Sequence, residues 1–284
     1  MSKTFKHITQ VDSTLNTVLV VDSLNLAFRF KHQGAVTFLD EYIKTVESLK
    51  RSYKANDVII LSDWGASSYR REIYPEYKQN RKALQEQQTP EEEEYFKLFF
   101  KEYLTVIDYY QNHTDYKTFR FQGVEADDIA AHLVNNKNKY GLDKLWLVSS
   151  DKDYDLLIQP NVSRFSYVTR KEVTHETWDE HYEVTQSEYI SMKCLVGDTG
   201  DNIPGIHKVG PKTAEKLIKQ YGDAFTIADS IPLPGKYVYI KNLNEFGKDN
   251  ILRNYQLMDL LSFCDDAIGV DNIKIIEDSF KEGN

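Results

Sequence analysis

The sequence predicts an α/β fold with a mainly parallel sheet, and three observations carry that prediction. Apolar runs of strand length recur at 17–21, 57–61, 118–121 and 144–148. Helical patterns separate them, for example Leu39–Tyr53 and Glu125–Tyr140. Strands that alternate with helices make crossover units, and crossovers leave neighbouring strands parallel. Thirdly, three of the runs lead into an aspartate. Asp22 ends the first, Asp63 comes just after the second, and Ser149-Ser150-Asp151 comes after the fourth. In open α/β sheets the ligand site lies outside the carboxyl ends of the strands, so three remote stretches deliver acids to one edge. One such aspartate alone reads as a helix N-cap or a turn residue. Three independent strands with the same ending do not.

Taken in order, residues 1–15 read as a flexible polar arm. With no apolar h-region, this start is not a signal peptide. Residues 16–184 hold the alternating core. A stretch at about 66–105 interrupts its rhythm. Within it, Ser67–Lys82 interleaves basic and aromatic residues. Rings that stack on bases and cations that meet phosphates suit single-stranded nucleic acid, while a solvated loop and amphipathic helix is the plainer alternative. Leu84–Glu94 is rich in Gln and Glu, and its run Glu91–Glu94 reads as a helix start, where acids meet the favourable end of the dipole. From 185 to 284 the chain is mainly helical, with a Gly-punctuated segment and a turn at Pro232–Gly235.

A chain of 284 residues can form one large domain or two modest ones. Its longest apolar stretches are too short to span a membrane. The only cysteines, Cys194 and Cys264, lie far from any C-x-x-C and read as buried thiols of a reducing, intracellular compartment. The net charge of −9 argues at first against nucleic acid. The location of that charge removes the objection. Asp22, Asp63, Glu125, Asp127, Asp128, Asp151, Asp153, Asp198 and Asp201 fall in short clusters, and these nine acids equal the whole net charge. An acidic pocket for divalent metal is compatible with a DNA-binding surface elsewhere.

The clusters have their own logic. In Gly123-Val124-Glu125-Ala126-Asp127-Asp128, Glu125 and Asp128 share a helix face while Asp127 is offset. Ser150-Asp151-Lys152-Asp153 adds an alternating pair that lacks the glycine and distal glutamate of an EF-hand. Asp198-Thr199-Gly200-Asp201-Asn202 adds another pair after a helix. All candidate ligands are oxygen donors, which selects Mg²⁺, with Mn²⁺ as a substitute, over zinc. So many carboxylates exceed one ion's needs, and two ions ~4 Å apart suit in-line phosphoryl displacement. The seven histidines make no ligand pair, and His132 reads as a helix-face residue. In Gly205-Ile206-His207-Lys208-Val209-Gly210-Pro211-Lys212-Thr213-Ala214, two glycines flank a tight turn before a helix that runs through Tyr221. Backbone N–H groups there can meet phosphate, as in a helix–hairpin–helix grip on duplex backbone.

Together, G-V-E-A-D-D, S-S-D-K-D, G-D-T-G-D-N-I-P-G-I and V-G-P-K-T-A resemble the flap endonuclease/5′-3′ exonuclease family, particularly its bacteriophage members, over roughly residues 16–265. The resemblance implies a PIN-like α/β core, a helical arch insertion and a helix–hairpin–helix (helix-three-turn-helix) region. It assigns Asp22, Asp63, Glu125, Asp127 and Asp128 to a first metal cluster, and Asp151, Asp153, Asp198 and Asp201 to a second. Lys78 and Arg81 become catalytic, and Tyr77, Lys78, Arg81 and Lys82 form the basic face of an arch that passes a single-stranded 5′ arm. DNA contacts are expected from Arg70, Arg71, Tyr77, Lys82, Gly205, Val209, Gly210, Lys212 and Thr213, with K⁺ held by the hairpin backbone near Val209. The acidic outer half of the arch, Gln85–Glu94, departs from that pattern. The implied protein is a monomeric, cytoplasmic nuclease of branched or 5′-ended DNA. A catalytically silent branch-binding protein and a PIN-type ribonuclease are the rival readings.

Overall fold

The structure, a computed structural model, describes residues 15–281, so the expected arm lies outside it except for Leu15. The chain starts with strand β1 (Thr17–Asp22), helices α1 (Ser23–His32) and α2 (Leu39–Ser52), and strand β2 (Asp57–Leu61). Helices α3 (Ser68–Ile73), α4 (Gln79–Glu86) and α5 (Pro90–Asn112) lead to β3 (Lys117–Phe119). Helix α6 (Ala126–Asn135), β4 (Lys144–Val148), β5 (Val162–Ser166) and β6 (Lys171–Val173) complete one six-stranded sheet in the order β3-β2-β1-β4-β5-β6. The first five strands in that row are parallel, and β6 runs antiparallel to β5.

Period-2 alternation splits the strands between two cores. Val18, Val20, Ile59, Leu61, Leu145 and Leu147 pack with Ile129, Ala130 and Leu133 of α6. Their neighbours Leu19, Val21, Val58, Ile60, Trp146 and Val148 pack against α1, α2 and α5 through Leu26, Tyr42, Val46, Phe99 and Tyr103. Both faces are covered, so the central strands can be apolar throughout, as their sequences are. The strand order reverses between β1 and β4, and Asp22 and Ser149–Asp151 flank that crevice.

The expected insertion is shorter than 66–105. Helix α5 starts with a capping box, in which Thr89 Oγ1 accepts from Glu92 N–H and Glu92 accepts from Thr89 N–H, and Glu91–Glu93 occupy its first turn. From Phe99 on, however, Phe99, Tyr103, Val106, Ile107 and Tyr110 are buried in the second core, so these turns belong to the core and not to an arch. Helix α4 buries no side chain. Strands β5 and β6 escaped the sequence reading because β5 is V-S-R-F-S, whose polar residues hide a fully buried strand.

Helices α7 (Gln186–Val196), α8 (Pro211–Tyr221), α9 (Ala224–Asp229) and α10 (Val238–Met258, broken at Gly247) enclose a separate core that includes Leu195, Ile206, Val209, Leu217, Ile227 and Leu243. Helices α11 (Leu260–Ile268) and α12 (Val270–Lys281) return to the sheet, where Leu260, Cys264, Ile268 and Ile276 join the α6 side. Both cysteines are free and buried. No helix among the described residues is long and apolar enough to cross a membrane.

Candidate metal centre

Asp22 sits where β1 gives way to α1. It caps the helix by accepting from Asn25 N–H at 3.1 Å and takes the Ser149 hydroxyl at 2.9 Å. Across the neighbouring strand, Asp63 accepts from the Ala126 N–H at 2.6 Å, which ties the end of β2 to the start of α6. Glu125 is the N-cap residue of that helix and receives Lys78 Nζ at 2.7 Å and the Tyr77 hydroxyl at 2.8 Å. Asp151 caps the 3₁₀ turn Lys152–Leu157 by accepting from Asp153 N–H at 2.9 Å. Four chain segments therefore converge at the strand ends.

A fifth comes from the helical region. Asp198 pairs with Ile203 across a tight turn, and its Oδ1 accepts from the N–H groups of Gly200 and Asp201. This turn is locked to the base of the arch: Lys78 N–H donates to Asp201 O at 2.9 Å, and Asn202 donates to Glu76 O at 2.7 Å. Asp201 then receives Arg81 at 2.6 Å and the Tyr77 hydroxyl at 3.0 Å, with Lys78 Nζ at 3.5 Å. Tyr77 and Lys78 thus span Glu125 and Asp201, one from each group of acids.

The electrostatics are those of crowded carboxylates. Burial, then Asp63 and Asp151, push the Asp22 carboxyl up to about 8. Burial and Glu125 raise Asp63, and burial and Asp128 raise Asp127. Burial and Asp153 push Asp151 up to about 6. Burial would also raise Glu125, but Lys78 and Arg70 outweigh it and hold it below the usual range. For Lys78, burial works against the charge, yet Glu125, Asp201 and Asp127 prevail and keep it a firm cation.

Three features fit a divalent cation here. Every donor is oxygen, the preference of hard ions. Glu125, Asp127 and Asp128 offer oxygens within 4.8 Å of one another. The Tyr154 hydroxyl is buried without a partner, and Asp22, Asp127, Asp63 and Asp151 all act on it. Tyr154 and Lys193 are the residues that sequence reasoning missed. Lys193 lies 2.5 Å from Asp153 and 3.6 Å from Asp198, so it joins the second group of acids. One lysine inside a helix carries no spacing that could have revealed it.

The crowding gives a signed expectation. A carboxyl whose folded pKa lies above its unfolded value of ~3.9 binds its proton more tightly in the folded state. Stability then falls as pH rises between the two values. For Asp22 that window runs from the ordinary carboxylate range to about 8, and for Asp151 to about 6. In EDTA the melting temperature should therefore drop as pH is raised from 6 to 8, and Mg²⁺ should restore it most at the alkaline end. A melting temperature in EDTA that climbs with pH over that range would contradict the acid cluster.

Several expected contacts need correction. Arg70 does not face DNA. Its guanidinium grips both oxygens of Asp128 at 2.7 Å and donates from Nε to Leu257 O at 2.8 Å, and the residue is only 4% exposed. Asp128 is fully buried with both its oxygens gripped by Arg70, and it still lies within 4.8 Å of oxygens of Glu125 and Asp127, so it is ion-paired as well as part of the acid cluster. Tyr77 is likewise buried, and its ring is closed to a base. Tyr69 stacks on Phe263 and Tyr74 lies under Arg253, so these two rings pack against α11 and α10. Gly205 is a packing residue: a Cβ there would lie 1.8 Å from Val196 O. Val209 is buried in the helical core. Arg71 and Lys82 are exposed along one groove with Pro75 and Gln79, while Gly210, Lys212 and Thr213 open α8, the first two exposed and Thr213 half-buried. His132 is buried between Asp265 and Tyr140, away from the acids.

The Arg70 pair should be costly to break. Removing one partner of a buried ion pair typically costs about 3–5 kcal/mol, because the other charge is left uncompensated. Arg70→Ala should lose that much in urea denaturation. A loss below about 1 kcal/mol would show that Asp128 finds another partner.

Comparison with known proteins agrees with this geometry. Residues 17–183 match the model of the 5′-3′ exonuclease, N-terminal resolvase-like domain, and residues 184–279 match the 5′-3′ exonuclease, C-terminal SAM fold. A flap endonuclease of Escherichia phage T5 is 39% identical over 267 residues, covering 93% of this chain and 90% of that protein. Flap endonuclease Xni of Shewanella woodyi is 29% identical over 87% of this chain and 93% of its own. The structure of the T5 5′-exonuclease with bound divalent metal ions (zinc) superposes with a TM-score of 0.87, at 39% identity, over 94% of this chain and 98% of that one. A T5 flap endonuclease variant in a pseudo-enzyme–product complex with DNA and metal ions matches with the same TM-score at 38% identity, over the same shares of the two chains.

A resolvase-like α/β core whose strand ends gather acids defines a metal-dependent nuclease. The chain belongs to the flap endonuclease/5′-3′ exonuclease family.

Proposed function

We propose that this nuclease hydrolyses DNA phosphodiesters at 5′ flaps, branched junctions and 5′ ends, with two Mg²⁺ ions held by its two groups of acids. The observation that carries the reading is the span of Tyr77 and Lys78 from Glu125 to Asp201, which makes one site of two acidic clusters. Asp22, Asp63, Glu125, Asp127 and Asp128 would hold one ion, and Asp151, Asp153, Asp198 and Asp201 the other. Bound ions would supply Lewis acidity and a nucleophile at neutral pH. The chain's own residues do the rest. Lys78 places a buried positive charge beside the acids, where charge that develops on the phosphoryl oxygens is stabilised. Arg81, at 58% side-chain exposure, meets Asp201 at the rim and can reach phosphate.

Positioning of duplex falls to the exposed start of α8, with Gly210, Lys212 and Thr213, and to Arg71 and Lys82 along the arch. K⁺ at the hairpin, a single-stranded 5′ arm as the recognised feature, a monomeric state and a cytoplasmic setting (the host's, for a phage protein) complete the proposal.

Labelled 5′-flap DNA, and the same flap in RNA, incubated with Mg²⁺ or EDTA, tests it. The expected result is Mg²⁺-dependent cutting of DNA near the branch. Binding without cutting would mean a silent branch-binding protein, and preference for the RNA flap a ribonuclease.

A further inference from the structure

We infer that Trp64 and Arg120 form a stacking platform for the nucleobase beside the cleaved phosphodiester. The inference rests on the nuclease reading and adds a base contact to it.

Trp64 comes directly after Asp63, one of the buried acids at the strand ends. Its main chain is pinned on both sides to the segment that leads into Glu125: Trp64 N–H donates to Val124 O at 3.3 Å, and Gly123 N–H donates to Trp64 O at 2.8 Å. The residue is therefore fixed between two acids of the metal site. Its side chain nevertheless faces outward. Of the three tryptophans in the chain, Trp146 and Trp178 are 8% and 4% exposed, whereas Trp64 is 46% exposed. An indole so open on a rigid backbone is a large apolar face with nothing packed over much of it.

Arg120, just past the end of β3, lays its guanidinium over this ring at 4.5 Å from the centroid. Among the described residues no carboxylate pairs with Arg120 within 4 Å, although the site beside it is rich in them. Its Nε is buried without a hydrogen-bond partner. An aromatic face with an uncompensated cation is the combination that takes a base by its π-face and the attached phosphate by charge. The acids next door fix which base that is: a phosphate held by metal bound at Asp63 and Glu125 would bring its own nucleotide, or the adjoining one, to residue 64.

The test compares wild type, Trp64→Ala and Trp64→Phe on 5′-flap DNA that is intact or carries one abasic position on either side of the cut. Residue 64 is nearly half exposed and belongs to none of the apolar cores, so both variants should fold, which a thermal melt verifies. Single-turnover cleavage is read at subsaturating enzyme. Trp64→Ala should lose about 10-fold on intact DNA, within the range of one base–aromatic stack, and Trp64→Phe should recover most of it. One abasic position should lower the wild type to the Ala level and leave Trp64→Ala nearly unchanged. Because the other two indoles are buried, acrylamide quenching reads Trp64, and DNA binding should protect it. Equal penalties from the abasic position in all three proteins, or unchanged quenching on binding, would overturn the platform. The two readings fail differently: a wild type that cuts no flap at all refutes the nuclease reading and the platform with it. Wild-type cutting that is indifferent to residue 64 and to the missing base refutes the platform alone.

Discussion

Asp153→Asn should lower single-turnover cleavage in saturating Mg²⁺ by roughly 10²–10³-fold, the scale on which loss of one preorganised electrostatic group is felt. The substitution keeps the side-chain volume and removes one negative charge from the second group of acids. The fold should survive it. Asp153 caps no helix with its side chain, and its partner Lys193 keeps Asp198 at 3.6 Å. DNA binding should also survive, since a pocket with one fewer carboxylate repels phosphate less. A variant that cuts within about threefold of wild type at saturating metal would remove Asp153 from the site.

Lys78→Ala should act as strongly on rate, with a loss of ~10²-fold or more, and change affinity only a few-fold. The lysine lies under the arch with its side chain 13% exposed, and it is held in a left-handed backbone conformation at φ 56° that starts α4. Its ammonium cannot swing out to collect distant phosphate, so its effect belongs to charge that forms at the acids. The Ala variant leaves Glu125 with Arg70, Tyr77 and the Ser67 N–H as partners, which should keep the cluster assembled. Separating single-turnover rate from affinity decides the matter. Collapse of affinity with an unchanged saturated rate would make Lys78 a binding residue.

Much of this site was legible in the sequence because its acids come after strands. Asp22, Asp63 and Asp151 lie at or just beyond the ends of apolar runs, and a parallel sheet has no choice but to bring such positions to one edge. Local spacing told only part of the story at Asp128. Helical periodicity put it beside Glu125, where their oxygens do lie within 4.8 Å of each other, but it could not reveal that the same carboxylate also meets the buried Arg70. The same limit hid the role of the basic and aromatic stripe. Tyr69, Arg70, Tyr74 and Tyr77 look like a surface for single strands until α10 and α11, from the far end of the chain, pack against them. Lys193 joined Asp153 and Asp198 by tertiary contact alone. Strand β5 was hidden because Arg164 is neutralised by Asp155 at 2.5 Å, which allows a charged residue on a buried strand.

The central claim is that the acids make two metal sites joined under the arch, and ion counting tests it most directly. Mn²⁺ titrated calorimetrically into the metal-free protein should bind at two or more sites. The double variant Asp153→Asn with Asp201→Asn should lose one of them and keep the site at Asp22, Asp63, Glu125, Asp127 and Asp128. One ion bound by both proteins, with equal affinity, would contradict the two-site account.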